Sequence, residues 1–260
     1  MEFKTRISKA EENEVIVCGE TLSSLVKLGS FSDAIFLLLS ERKPNSKESV
    51  LFEKMLISII THSMGTVSSL STRMIASGGN PLHVGVGGGI LSMGEYHGGA
   101  IEKAMRQFYS WKEKGDGAER LIREAITSKQ VLYGFGHKHY TDTDPRVEAL
   151  VFEMKKIGFE SQFLGLARSV EVLFDEIKGK KIPLNIDGFI ALVLCDFGFD
   201  PLVGNGIFVI GRTPGLVAQC YEELKYEKPV RRVEEKDIVY IGKEVGGETQ
   251  VEVEEDESGF

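Results

Sequence analysis

The segment VLYGFGHKHYTDTDPR, Val131 to Arg146, sets two glycines, two histidines and an arginine within sixteen residues. Histidine changes charge between pH 5 and 8 and can give or take a proton there. Arginine offers a fixed fork of donors to a carboxylate or phosphate. Gly134 and Gly136 precede His137, so the backbone at this turn can expose N–H groups to a ligand. Arg146 falls in the first turn of the following helix, where a cation is disfavoured by the macrodipole. Facing an anion would explain that placement; an arginine reaching to solvent is the alternative.

All five histidines, His62, His83, His97, His137 and His139, lie between residues 62 and 139. His97 sits in GEYHGGA, immediately before a helix pattern. The positive end of a helix opposes protonation, and a neutral imidazole can donate its N–H to a developing oxyanion. Asp187, in LNIDGFIAL, opens an otherwise apolar helix. Either it or Asn185 caps that helix, or its apolar surroundings raise its pKa into the range of a general base. Arg212 lies in NGIFVIGRTPGLVAQ, a charge within an apolar run that needs a partner. Together these groups suit proton transfer next to a carbonyl, with stabilisation of an enolate and clamping of a polycarboxylate.

Other chemistries find no template. GVGGGI, Gly85 to Ile90, lacks the spacing and the parallel sheet of a dinucleotide fingerprint. There is no GxSxG elbow and no GxxxxGK[ST] loop. His137-x-His139 has no carboxylate set at ligand spacing, so no metal is expected.

Helices must position these groups. FSDAIFLLLSER, NSKESVLFEKMLISIITHS and GTVSSLSTRMIASGG carry helical patterns, the second opened by an Asn45/Glu48 capping box. In GGAIEKAMRQFYSWKEKG, Ile101, Ala104, Met105, Phe108 and Trp111 share one face. DPRVEALVFEMKKIG has Asp144 as N-cap and Pro145 at the first position. FLGLARSVEVLFDEIKGK, NIDGFIALVLCDFG and GIFVIGRTPGLVAQCYEEL follow, the last two apolar nearly all round and therefore interior or at an oligomer interface. VIVCG near the start, and DIVYIG and TQVEVEE near the end, are the candidate short strands. The expected fold is all-α, with about ten helices and minor strands at the termini.

The totals agree with a helical enzyme. The 260 residues are 42% hydrophobic and 27% charged, enough for a substantial core. A net charge of -8 argues against a nucleic-acid partner. Cys18, Cys195 and Cys220 are far apart, which excludes a disulfide framework or a zinc site and fits a reducing compartment. No apolar run is long enough to span a membrane, and the charged N-terminus lacks a signal-peptide core. A cytoplasmic protein is expected.

At these residues the chain resembles the citrate synthase superfamily. GFGHKHYTDTDPR is similar to its glycine–histidine loop and D-P-R helix start, GEYHGGA to its H-G-G/A-A segment, and NIDGF to its N-V-D segment. THSMG falls where that family has an oxaloacetate-holding histidine, although HSMG replaces the usual H-E-x-N. Within the superfamily the chain looks closer to citryl-CoA lyase and the C-terminal module of ATP-citrate lyase. The resemblance implies two helical domains with a closable cleft: a large domain over 1–97 and 199–242, a small one over 98–198, and an acidic tail over 243–260.

It also implies retro-Claisen cleavage of citryl-CoA to acetyl-CoA and oxaloacetate, or, alternatively, a compact citrate or 2-methylcitrate synthase. In the lyase reading His137 accepts the citryl hydroxyl proton, His97 donates to the thioester oxygen, and Asp187 delivers a proton to the enol carbon. His62, Arg146 and Arg212 would hold carboxylates, with Arg231 or Arg232 entering from a partner subunit. Gly134, Phe135, Gly136 and Lys138 would meet coenzyme A, a substrate portion rather than a resident cofactor. A homodimer is implied, and a separate citryl-CoA synthetase would be a partner. A catalytically silent CoA- or citrate-binding subunit is the reading from another class.

Overall fold

Capping side chains mark five of the eleven α-helix starts in the computed structural model, which describes residues 2–243 and 245. The chain opens with a small antiparallel sheet, β1 (Ser8–Ala10), β2 (Val15–Val17) and β3 (Glu20–Thr21), in the order β1-β2-β3. Thr21 then caps α1 (Leu22–Leu28), and Ser30 caps α2 (Phe31–Ser40). Asn45 opens α3 (Ser46–Ser58), accepting from Lys47 and Glu48 N–H while the Glu48 carboxylate accepts from Asn45 N–H. This reciprocal box satisfies donors that a helix leaves unpaired at its start. α4 (Val67–Ser77), α5 (Leu82–Leu91), α6 (Ala100–Glu113) and α7 (Ala118–Thr127) follow. Asp144 caps α8 (Pro145–Lys156), α9 (Leu164–Lys178) ends at Gly179 in the left-handed region, and Asn185 caps α10 (Ile186–Asp196). α11 (Gly204–Tyr226) completes the body.

The core gathers around α10, nine of whose eleven residues are buried. The apolar face of α6 buries Ile101, Ala104, Met105, Phe108 and Trp111 in the same core, which also takes in the buried faces of α8 and α9. Each fully buried Phe, Leu or Met side chain contributes roughly 1.5–3 kcal/mol, so this layer fixes where the ends of α10 and α6 lie. A smaller cluster of Ala76, Val86, Leu216 and Cys220 joins α4, α5 and α11. No helix among the described residues is long and apolar enough to cross a membrane.

The all-helical expectation matches the structure, with eleven α-helices among the described residues and one small sheet. VIVCG supplies β2, as its pattern predicts. DIVYIG forms no strand: a 3-10 turn at Glu235–Asp237 leads into chain that pairs with no strand among the described residues. TQVEVEE lies outside the described residues. Three helices, α1, α5 and α7, have no counterpart in the sequence reading. α5 contains the GVGGGI run, whose glycines weaken helix propensity. Tertiary packing overrides this, because a Cβ at Gly89 would come within 2.9 Å of the Ser68 carbonyl on α4. The glycines thus allow α4 and α5 to touch along their backbones.

Candidate active site

Five chain segments meet at a cleft of about 180 Å³ lined by His62, His97, His137, Arg146, Asp187 and Arg212, with Thr66, Tyr96, Gly98, Asn185, Ile186 and Phe208. Six residues with sequence separations of up to 150 therefore share one wall system. Among the described residues no group of three or more His, Cys, Asp or Glu side chains could hold a metal ion.

Asp187 stands in the first turn of α10, and Asn185 is the cap, accepting from Gly188 N–H at 3.0 Å. The helix start thus leaves Asp187 free of capping duty. Burial pushes its carboxyl up from 3.8 to about 6, against the opposing pull of Arg146 and Arg212; the nearby Asp144 carboxylate raises it further. A carboxyl poised near 6 can hold or release a proton at physiological pH.

His97 precedes α6, and its Nε2 lies 2.8 Å from the hydroxyl of Ser68 on α4. Burial is the main cause of its lowered pKa, with Arg212 and His62 adding to it. This contact fixes the ring, and whichever nitrogen carries the proton, the neutral imidazole keeps one N–H to donate. The Phe208 ring packs edge-on against His97 at 5.8 Å, further restricting it.

His137 is fixed differently. Its Nδ1 accepts from the backbone N–H of His139 at 3.0 Å and of Tyr140 at 3.3 Å, and the Tyr140 ring stacks on it at 4.4 Å. The proton of the neutral ring therefore sits on Nε2, and burial and Arg146 lower the pKa. His137 thus presents a donor to the cleft, where the resemblance implies a proton acceptor. His62 stands beside it, ring centroids 6.1 Å apart, its pKa lowered by burial, Arg146 and Arg212.

Arg212 is 3% exposed. α11 approaches the end of α3 closely at Gly215, where a Cβ would run into the Ile60 carbonyl. This approach brings the Ile59 carbonyl, one of the acceptors left over at a helix C-terminus, to 2.7 Å from Arg212 Nε. The guanidinium lies 4.8 Å above the Phe208 ring, and its Nη1 is buried without a hydrogen-bond partner. A buried, unpaired cationic donor is costly, and a substrate carboxylate in the cleft would satisfy it. Arg146 also lines the cleft, but Asp144 holds it by Nε at 3.0 Å and Nη2 at 2.7 Å. That pairing explains how a cation sits in the first turn of α8.

The loop over Gly134–His137 differs from expectation. Its N–H groups turn inward: Phe135 donates to the Leu132 carbonyl and Gly136 to the Pro183 carbonyl, while the Gly134 carbonyl accepts from Asn185 N–H. Gly134 has φ +86°, and a Cβ there would come within 2.5 Å of Gly188 Cα. The glycines therefore serve to dock the loop on the start of α10, and Phe135 is buried. Lys138 is exposed. Arg231 does not line the cleft of its own chain; Glu223 takes its Nε at 2.6 Å and Glu227 its Nη2 at 3.3 Å. His83 and His139 do not line it either. The sequence reading missed Ser68, Phe208, Thr66 and Tyr96; only Phe208, one helical turn before Arg212, had a signal in its spacing.

A model of the citrate synthase C-terminal domain matches residues 29–233. Citryl-CoA lyase from Hydrogenobacter thermophilus is 39% identical and superposes with a TM-score of 0.90, covering 94% of this chain and 96% of that one. ATP citrate lyase from Methanothrix soehngenii, solved with citrate and coenzyme A, shares the fold at a TM-score of 0.83 and 23% identity, over 97% of this chain and 43% of that one. Citrate synthase 1 from Mycobacterium tuberculosis is 26% identical over 166 residues, 60% of this chain and 38% of that protein. The chain spans between about a quarter and a half of the length of the curated relatives it matches. With the helical fold and the match over residues 29–233, the chain belongs to the citrate synthase family and is an enzyme of that superfamily.

Proposed function

We propose that this enzyme is a citryl-CoA lyase, cleaving citryl-CoA to acetyl-CoA and oxaloacetate. The observation that carries the reading is the buried, unpartnered Nη1 of Arg212 in a cleft that also holds a carboxyl poised near pH 6 and two imidazole donors. End-to-end likeness to the Hydrogenobacter citryl-CoA lyase supports it. Arg212 and the free edge of Arg146 take the substrate carboxylates. His62, neutral and next to His137, takes the citryl hydroxyl proton while His137 Nε2–H stabilises the forming ketone oxygen. The central C–C bond breaks, its electron pair passes into the thioester, and His97 donates to the enolate oxygen. Asp187 then gives its proton to the enol carbon. The coenzyme A portion lies along the outer side of the 131–138 loop, with Lys138 toward its phosphates.

The division into a discontinuous large domain (1–97, 199–242) and a small domain (98–198) belongs to the same proposal, since cleft residues come from both. So does a homodimer. Val67, Leu70 and Met74 on α4 and Val217, Tyr221 and Leu224 on α11 are exposed at helical spacing, an apolar face that a second copy would cover. Arg231 would reach a neighbouring cleft only by leaving Glu223.

The second reading, a synthase that condenses acyl-CoA with oxaloacetate, is favoured by curated relatives such as the citrate/2-methylcitrate synthase of Bacillus subtilis, 30% identical over 200 residues. Product analysis after mixing the protein with citryl-CoA separates them. Acetyl-CoA plus oxaloacetate without free thiol supports the lyase; citrate plus free coenzyme A supports the synthase. Binding without turnover would sink both.

A further inference from the structure

Asp144 stands behind the cleft wall, 1% exposed, and does not line the cleft itself. Its two oxygens accept four hydrogen bonds. Oδ1 takes the backbone N–H of Arg146 at 3.0 Å and Arg146 Nε at 3.0 Å, and Oδ2 takes Arg146 Nη2 at 2.7 Å and the backbone N–H of Ile186 at 3.2 Å. A helix cap needs only the first of these. The others tie a guanidinium on α8 and the first residue of α10, adjacent to Asp187, to one buried charge.

We propose that Asp144 is a positioning residue for the reaction: its carboxylate aims the free edge of Arg146 at the substrate and holds the α10 start so that Asp187 meets the acyl carbon in its protonated form. This inference rests on the proposed lyase reading. Two consequences follow from the geometry. Bidentate pairing through Nε and Nη2 leaves Nη1 and one Nη2 hydrogen of Arg146 for a ligand, in a fixed direction. The Asp144 charge also offsets that of Arg146 at Asp187. The charged groups acting on Asp187 are Arg146 from α8, Arg212 from α11 and Asp144 itself. His62, His97 and His137 line the same cleft with lowered pKa values and are neutral near pH 7. Burial is what chiefly holds the Asp187 proton, and Asp144 is the one negative neighbour that adds to it against the two arginines.

Asp144→Asn tests this, because asparagine keeps the size and the cap while removing the charge. In cleavage Asp187 acts as an acid, so wild-type kcat should fall as the pH rises through its titration. Without the Asp144 charge, Asp187 loses its proton more readily, and the falling limb should move to lower pH by roughly half to one unit. KM for citryl-CoA should rise about tenfold as Arg146 loses its clamp. Asp144→Ser, which also caps, repeats the test if the asparagine variant does not fold. Oxaloacetate binding by calorimetry reads the Arg146 half without turnover. An unmoved limb and unchanged KM in both variants, with only Tm lowered, would make Asp144 a helix cap and overturn the proposal. If wild type itself does not cleave citryl-CoA, the lyase reading fails, whereas weakened oxaloacetate binding in the variants would still uphold the clamp.

Discussion

Asp187→Asn keeps the size of the side chain and removes its charge, so it separates what this carboxyl does for chemistry from what it does to stability. The folded-state value of about 6 lies above the ordinary 3.8. The stability tied to this group is therefore complete below pH 3.8 and is lost as the pH rises through about 6. Each pH unit of that displacement corresponds to about 1.4 kcal/mol, so ionising Asp187 in place costs the folded enzyme about 3 kcal/mol at neutral pH. Asparagine never bears that cost. The variant should be more stable than wild type at pH 7.5 by up to this amount, a Tm rise at roughly 2–4 °C per kcal/mol. Near pH 4 the difference should vanish. Turnover should fall by at least about a thousandfold, as for loss of a proton-transfer group, while citryl-CoA binding survives. Thermal unfolding at both pH values, with a turnover assay, decides the matter. A variant no more stable than wild type at pH 7.5, or a gain independent of pH, would refute the claim that burial raises Asp187.

Further outcomes follow from other contacts. Ser68→Ala removes the group that fixes His97 Nε2, and kcat for cleavage should drop about tenfold, the scale of one hydrogen bond, with KM little changed; steady-state kinetics checks this. Gly134→Ala combines φ +86° with a Cβ 2.5 Å from Gly188 Cα, so calorimetry should show roughly 2–4 kcal/mol of destabilisation. Leu70→Lys places a charge in the exposed apolar face of α4, and sedimentation should show monomers where the proposed homodimer forms in the wild type.

Much of the architecture was legible because capping and periodicity are local. Asn45 and Asp144 open their helices where the sequence places them, Asn185 is the cap of the two candidates the sequence left open, and the α6 face is buried residue for residue. α5 was not legible, since its glycines are selected by backbone contact with α4, which no local propensity reports. At the site, residue types and motif order brought His97, His137, Asp187 and Arg212 to one list, and the structure puts them in one cleft. Ser68 could not be found this way: it is an ordinary helix serine until α4 packs beside the turn that carries His97. The direction of the His137 proton was equally hidden, because two backbone N–H groups set it and side-chain identity does not.

The central claim is that Asp187 moves the proton of the acyl carbon while His97 holds the thioester oxygen. Its most direct test is to incubate acetyl-CoA with the enzyme and oxaloacetate in deuterium oxide and follow the acetyl methyl group by mass spectrometry. Deuterium should enter with wild type, slowly with His97→Gln and not measurably with Asp187→Asn. Exchange at the wild-type rate in Asp187→Asn, or none in the wild type, would contradict it.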